Sequence, residues 1–184
     1  MDNGRLGERL RALRLRRALS LAEVACGTGL SQSFISLVET GKSDISVSRL
    51  IRLVDFYRVR LTDVIPEDVP KADQMVVRKD EQRHLYSREE GLDVYLLGPD
   101  AAQAMLPVIA EYEPTGKWAE FVGHEGEVFL HVLEGRIEIE IEGHEPVTLK
   151  PGDSAYFRSE QRQRFRNPGK QKARLIAVAS PASA

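Results

Sequence analysis

A single cysteine, Cys26, cannot close an internal disulfide, which excludes a disulfide-stapled secreted scaffold and fits a reducing compartment. No apolar run approaches the ~18–20 residues that a membrane-spanning helix needs. The N-terminus, MDNGRLGERLRALRLRRA, puts arginines where the apolar core of a secretory leader would sit. A cytoplasmic location without a membrane partner is the expectation. Net charge is also small, -2, but unevenly spread: residues 1–65 hold 11 Lys and Arg against seven Asp and Glu, whereas residues 66–184 hold 15 against 21. A basic first part on an acidic larger second part points to a polyanion meeting the first. What is present suffices for two small packed domains: 184 residues, 42% hydrophobic and 29% charged.

The first 65 residues carry a helical period. Leu6, Leu10 and Leu13 recur at i, i+4 and i+7 and share one helix face, with Arg5, Arg9 and Arg16 on a neighbouring stripe and Arg11 and Arg14 on its other flank. Ser20-Leu21-Ala22-Glu23 reads as a capping box that opens a second helix, broken early by Gly27 and Gly29. Ser31 caps a third helix that runs to about Thr40 and ends at Gly41. Ser46 starts a fourth, on which Val47, Leu50, Ile51 and Val54 share a face, and a fifth lies near Leu61–Ile65 before Pro66. The residue type wanted at Cys26 is small, and the expectation is a thiol packed in the turn.

Two helices joined by a tight Gly-containing turn inside a five-helix cluster form the arrangement that puts a recognition helix into the major groove. The run SLAEVACGTGLSQSFISLVETGKSDIS closely resembles the Cro/cI-type (XRE family) repressor helix-turn-helix over about residues 4–65, through Ala25, Gly29-Leu30-Ser31, Ile35-Ser36 and Val38-Glu39-Thr40-Gly41-Lys42. The resemblance implies double-stranded DNA as partner. It puts Ser20 and Leu21 at the start of the second helix, and Ser31, Gln32, Ser33, Ser36 and Leu37 at the start and outer face of the third, towards bases or phosphates. Gln32 suits adenine N6 and N7, Leu37 a thymine methyl, and Lys42 a phosphate. Phe34, Ile35 and Val38 read as core, and Arg14 with Glu39 matches an inter-helix ion pair of that family.

Pro66–Gln74 is polar, holds two prolines and lacks periodicity, which marks a linker over 67–74 between a domain at 1–66 and another at 75–184. Beyond it, two-residue alternation takes over. Arg136–Glu142 sets isoleucines on one face and glutamates on the other, as a half-buried antiparallel strand does. Short apolar segments at Val147–Leu149, Ala155–Phe157 and Leu175–Ala179, parted by polar turns, point to a sandwich or barrel. GHEGEVFLHVLEGRIEIEIEG and LKPGDSAYFRSEQRQRFRNPG resemble the two motifs of the cupins, which implies a double-stranded β-helix (jelly-roll) barrel over about residues 75–180.

Metal-binding cupins supply three histidines and a carboxylate. By that resemblance the four positions fall here on Val122, His124, Val128 and Gln163. No metal, no cofactor and no catalytic residue are expected. The candidate small-molecule site comprises Trp118, Glu120, His124, Leu130, Tyr156, Gln163 and Phe165, pointing inward or lining the mouth. Arg164 and Arg166 should lie on the opposite face from Gln163 and Phe165. The functional expectation is a dimeric transcription regulator whose cupin domain binds an effector and whose two heads read a near-palindromic operator. Two alternatives stay open: a metal-dependent cupin enzyme of epoxidase or dioxygenase type that carries a helix-turn-helix, and a repressor whose cupin only dimerises.

Overall fold

The computed structural model describes residues 3–65, 75–98 and 104–180, and the chain divides into two compact units, residues 1–69 and 70–184. The linker expected at 67–74 lies outside the described residues.

Among the described residues of the first unit are five helices: α1 (Asn3–Arg16), α2 (Leu21–Thr28), α3 (Gln32–Glu39), α4 (Val47–Phe56) and α5 (Leu61–Val64). The i, i+4, i+7 leucines of α1 are buried, and they pack with Val24, Ile35, Val38, Leu50, Leu53 and Tyr57 into one core. Three serines start three of the helices. Ser20, Ser31 and Ser46 accept the amides of Glu23, Phe34 and Arg49 at 3.2, 3.2 and 3.3 Å. Each cap satisfies a donor that the first helical turn leaves orphaned. In the first, Glu23 reciprocates by accepting the Ser20 amide at 2.7 Å, so the box is complete.

Gly27 does not break α2, against expectation; it is helical, and only Gly29 (φ 68°) ends the helix. The reason is tertiary. A β-carbon at Gly27 would overlap the Phe56 ring of α4, so the glycine serves close helix packing rather than termination. Arg14 and Glu39 tie α1 to α3 through a two-pronged ion pair at 2.7 and 2.8 Å, with their side chains 12% and 4% exposed. A third bond from Arg14, to the Leu19 carbonyl at 3.0 Å, fixes the loop between α1 and α2.

The second unit comprises β1 (Arg83–Ser87), β2 (Leu92–Leu96), β3 (Leu106–Tyr112), β4 (Glu127–Glu134), β5 (Ile137–Ile141), β6 (Val147–Leu149), β7 (Ser154–Arg158), β8 (Gln163–Arg166) and β9 (Ala173–Ala179). They form a six-stranded antiparallel sheet, β1-β2-β3-β9-β4-β7, and a three-stranded one, β6-β5-β8. Register lines up the apolar partners: Leu85, Val94, Ala110 and Leu175 form one row across four strands, and Leu96, Val108, Ala177, Leu130 and Ala155 another. Alternation along each strand makes these rows one face. Leu130, Val132 and Leu175 on it are at most 3% exposed, and Ile137 on the small sheet is fully buried. The inner faces meet where Tyr112 of the large sheet approaches Phe165 of the small one, ring centroids 6.3 Å apart. Full burial pushes the Tyr112 hydroxyl well above the usual phenol range.

Two turns are built by the motif residues themselves. Asp153 accepts the Lys150 amide at 2.8 Å across Pro151-Gly152, and Asn167 spans its own turn by accepting from Gly169 at 2.8 Å and donating to Gln171 at 2.8 Å. The same Asn167 amide donates to Tyr112 at 2.9 Å, which joins the two sheets.

Candidate DNA interface and barrel interior

The chain bends by 113° between α2 and α3, within the range of helix-turn-helix pairs. Ser31, Gln32, Ser33 and Leu37 are exposed, Leu37 by 44%, and Ser36 is half-buried, while Ile35 and Val38 go into the core at 1% and 3%. Positions 32, 33, 36 and 37 therefore make one outward edge of α3, anchored by the buried face behind it. Phe34 is half-buried beneath the Arg49 guanidinium, 5.2 Å from its ring centroid. Lys42 is exposed, and its backbone amide donates to the Leu37 carbonyl at 2.8 Å, which places the residue at the C-terminal end of that edge. Ser31 uses its hydroxyl for the cap and lies 3.1 Å from the Ser33 hydroxyl. Ser20 is likewise committed, both to the Glu23 amide and to its carboxylate at 2.7 Å. Leu21 is half-buried against the core, so what it brings outward is mainly its backbone amide at the N-terminus of α2.

Arg52 was not read as part of this site from the sequence. It donates to the Thr28 carbonyl at the end of α2 and so braces the turn between the two helices. Cys26 is exposed on α2, which corrects the expected packed thiol: the small residue that this turn needs for packing is Gly27, next to it.

Of the seven barrel candidates, Leu130 (1%) and Gln163 (3%) lie on the inner face, and Phe165 is half-buried on the same face against Tyr112. Glu120 and His124 are half-buried on an irregular segment that runs along β8. Its amides are used there: Ala119 to Phe165 at 3.0 Å, Val122 to Gln163 at 2.8 Å, and His124 to Ser159 at 3.0 Å. The His124 Nδ1 is 2.7 Å from the Glu125 carbonyl, a bond that engages one of the two ring nitrogens. Ser159, fully buried and missed in the sequence, lies 3.0 Å from the Gln163 amide. With the amide oxygen accepting there, its nitrogen donates to Gln161 and Val122 at 2.5 and 3.2 Å.

Two candidates do not point inward. Tyr156 is 64% exposed, because its neighbours Ala155 and Phe157 take the inner positions of β7 and alternation turns the residue between them outward. Trp118 lies on the outer face of the small sheet, with the guanidiniums of Arg164 and Arg166 at 4.8 and 4.5 Å from its ring centroid. Both arginines are on that face, as expected, bonded to Glu140 at 2.6 Å and Glu138 at 2.5 Å; Arg162 and Glu142 add a third rung at 3.0 Å. Trp118 belongs to no strand, so period two said nothing about its face.

At the four positions that hold metal in metal-binding cupins, Val122 and Val128 are each 8% exposed, Gln163 is committed to Ser159, and His124 remains as the one strong donor. Among the described residues no group of three His, Cys, Asp or Glu side chains converges as a metal-holding set. His131 lies on the outer face of the large sheet, 2.8 Å from Ser154. No single helix among the described residues is long and apolar enough to cross a membrane.

Comparison with known proteins agrees with both units. A helix-turn-helix domain family matches residues 5–64, and a cupin domain family matches residues 108–179. The HTH-type transcriptional regulator PuuR of Escherichia coli (strain K12), and likewise that of Shigella flexneri, is 29% identical over 177 residues, covering 95% of this chain and 94% of the relative. Among solved structures, an HTH_3 family transcriptional regulator from Vibrio cholerae matches 100% of this chain and 98% of its own at TM-score 0.77 and 18% identity. Fe(II) HppE matches 97% of this chain and 100% of its own at TM-score 0.50 and 21% identity, a likeness of fold. The chain thus carries a helix-turn-helix domain followed by a cupin domain, and over nearly its whole length it is similar to HTH-type transcriptional regulators.

Proposed function

We propose that the chain is a cytoplasmic, homodimeric regulator that reads a near-palindromic operator with α3 and responds to a small molecule held in the barrel. The observation that carries the DNA reading is the α3 edge itself: exposed Gln32, Ser33 and Leu37 on a helix whose opposite face is buried and whose N-terminus is capped by Ser31. An amide can pair with adenine N6 and N7, and a leucine tip can cover a thymine methyl. Lys42, with the Leu21 amide that opens α2 and the amides that open α3 at Ser31, supplies the phosphate contacts that fix register. In a dimer the two heads address half-sites about 34–36 Å apart, one helical turn.

The effector site is the barrel interior around Leu130, Gln163 and Phe165, with His124 and Glu120 at its mouth. That lining is apolar with a few placed polar groups, as small-molecule sites are. Effector binding acts by favouring one arrangement of the two heads over another. We further propose that the chain is not an enzyme. Valines at two ligand positions and a committed glutamine at a third leave His124 without the partners that hold a catalytic cation. Elemental analysis of the purified protein is expected to find iron, manganese and nickel well below one per chain; a stoichiometric metal would restore the enzyme reading.

The DNA reading is tested by nuclease footprinting of the full chain across its own upstream region at moderate salt. A bounded, two-fold-related protected stretch is expected. Uniform weak protection, with no preference over unrelated duplex, would defeat it.

A further inference from the structure

The inner face of the six-stranded sheet is closely packed at one end and accessible at the other. Along β9 the inward side chains pass from Ala173 (1% exposed) and Leu175 (3%) to half-buried Ala177 and Ala179. Along β3, paired with it in register, Tyr112 (9%) and Ala110 (6%) give way to half-buried Val108 and Leu106. Ala155 of β7, in one row with Val108, Ala177 and Leu130, is half-buried too. Interiors are filled to crystal-like density, so inward positions that stay accessible mark room. Side-chain size makes that room: three of these positions are alanines, each a methyl where Leu or Phe would fill the space. Val128 stands at this end, beside Ala179 in register. Gln163 reaches the same end through Ser159, whose backbone amide donates to the Gly126 carbonyl just before β4.

The lining of this end decides what it accepts. Among the described residues, the inward positions of β3, β4, β5, β7 and β9 hold only aliphatic and aromatic side chains. The inward charge of the large sheet, Arg83, stands on the edge strand β1, three strands or ~14 Å from Ala177. Glu120 and His124, half-buried on the segment along β8, keep contact with water and are no part of the strand lining. The polar group that faces inward from a strand is the Gln163 amide, 3% exposed. Its nitrogen donates to Gln161 and Val122, and its oxygen accepts from Ser159, which uses one of the two lone pairs there. The second lone pair suits an N–H or O–H. A carboxylate would bring acceptors to an acceptor. An ammonium could donate, but one neutral amide does not offset the hydration it gives up.

We infer that the barrel takes an uncharged, largely apolar small molecule with one hydrogen-bond donor, of the class of neutral amides and alcohols. Its body is seated on Ala155, Ala177 and Ala179, and its donor faces the Gln163 oxygen. This ligand class rests on the effector reading above and gives that effector a chemistry. Removing an alkyl or aromatic body from water against these side chains drives binding in proportion to the area buried, and the amide fixes orientation. The same lining discriminates, because an ion of equal shape loses its hydration there and meets no countercharge.

The test is isothermal titration of the full chain at neutral pH with three probes built on one ring: benzamide, benzoate and benzylamine. They are close in shape and differ in charge. Benzamide is expected to bind at least ~10-fold more tightly than either ion. Ala177→Leu, which fills the room, should weaken benzamide by ~10-fold or more with an unchanged circular dichroism spectrum. Should that variant unfold, Ala155→Val on the same row takes its place. Benzoate or benzylamine bound as tightly as benzamide, and weakened by the filling variant, would overturn the ligand class while keeping the barrel as the effector site. Binding that the filling variant leaves unchanged, or no binding of any probe up to its solubility, would overturn the ligand class and the barrel site together.

Discussion

Arg14 and Glu39 show what a single pair of residues does for the DNA-binding unit. Hydrogen bonding to Glu39 raises the guanidinium above its usual range despite burial, and Glu39 is only 4% exposed. Replacing Arg14 with Leu strands a buried carboxylate, so chemical denaturation should register a loss of ~3 kcal/mol; replacing both residues with leucines should recover much of it. Glu23 offers a pH readout at the same scale. Hydrogen bonds from the Ser20 hydroxyl and amide hold its carboxyl below the usual carboxylate range. A depressed native value means stabilisation that is complete above the unfolded value and fades as pH falls through the native one. Thermal melts across the acid range should therefore fall more steeply for wild type than for Glu23→Gln, and parallel curves would contradict the capping role. Both pairs were legible in the sequence, because caps and family motifs have fixed spacing. Cys26 was not, since a residue's exposure on a short helix depends on which neighbour packs, and here that neighbour is Gly27.

At the scale of elements, the sequence is informative where period is sustained and silent where it stops. The Ile/Glu alternation put Ile137 and Ile139 inside and the arginines of β8 outside, and both hold. The same rule applied to β7 would have turned Tyr156 outward. Reading it instead as an aromatic wall of a cavity followed chemistry over register, and register won. Trp118 had no periodic context at all; its place is set by a cation–π contact with side chains some 46 residues away in sequence (Arg164 to Trp118). As the chain's one tryptophan it reports on that contact directly. Arg164→Ala with Arg166→Ala should make its fluorescence more accessible to acrylamide, and an unchanged quenching constant would contradict the stacking. Gly27 supplies the second prediction at this scale. In a plain helix Gly→Ala gains ~1 kcal/mol, but here the added methyl meets the Phe56 ring, so Gly27→Ala should lower the melting temperature. Adding Phe56→Leu should restore part of the loss.

At the scale of the whole molecule, two short motif sets carried the architecture: a capped turn of fixed spacing for the helical unit, and the Gly and Pro-Gly-Asp turns for the barrel. Such turns are local, so one sequence suffices to see them. The alanine-lined end of the barrel interior was invisible by comparison, because its members come from β3, β7 and β9 and are brought together only by strand order. Electrostatics divide along the same lines as chemistry, with the basic excess on the unit that is to meet phosphates and the acidic excess on the barrel. The claim on which the rest depends is that the outward edge of α3 reads bases. Fluorescence anisotropy of the full chain on the footprinted duplex, wild type against Gln32→Ala with Ser33→Ala, tests it most directly. Each lost base contact is worth ~1–3 kcal/mol, so affinity for that duplex should fall by ~10-fold or more, with unrelated duplex bound as before. Equal affinity of the two proteins for the footprinted site would contradict the account.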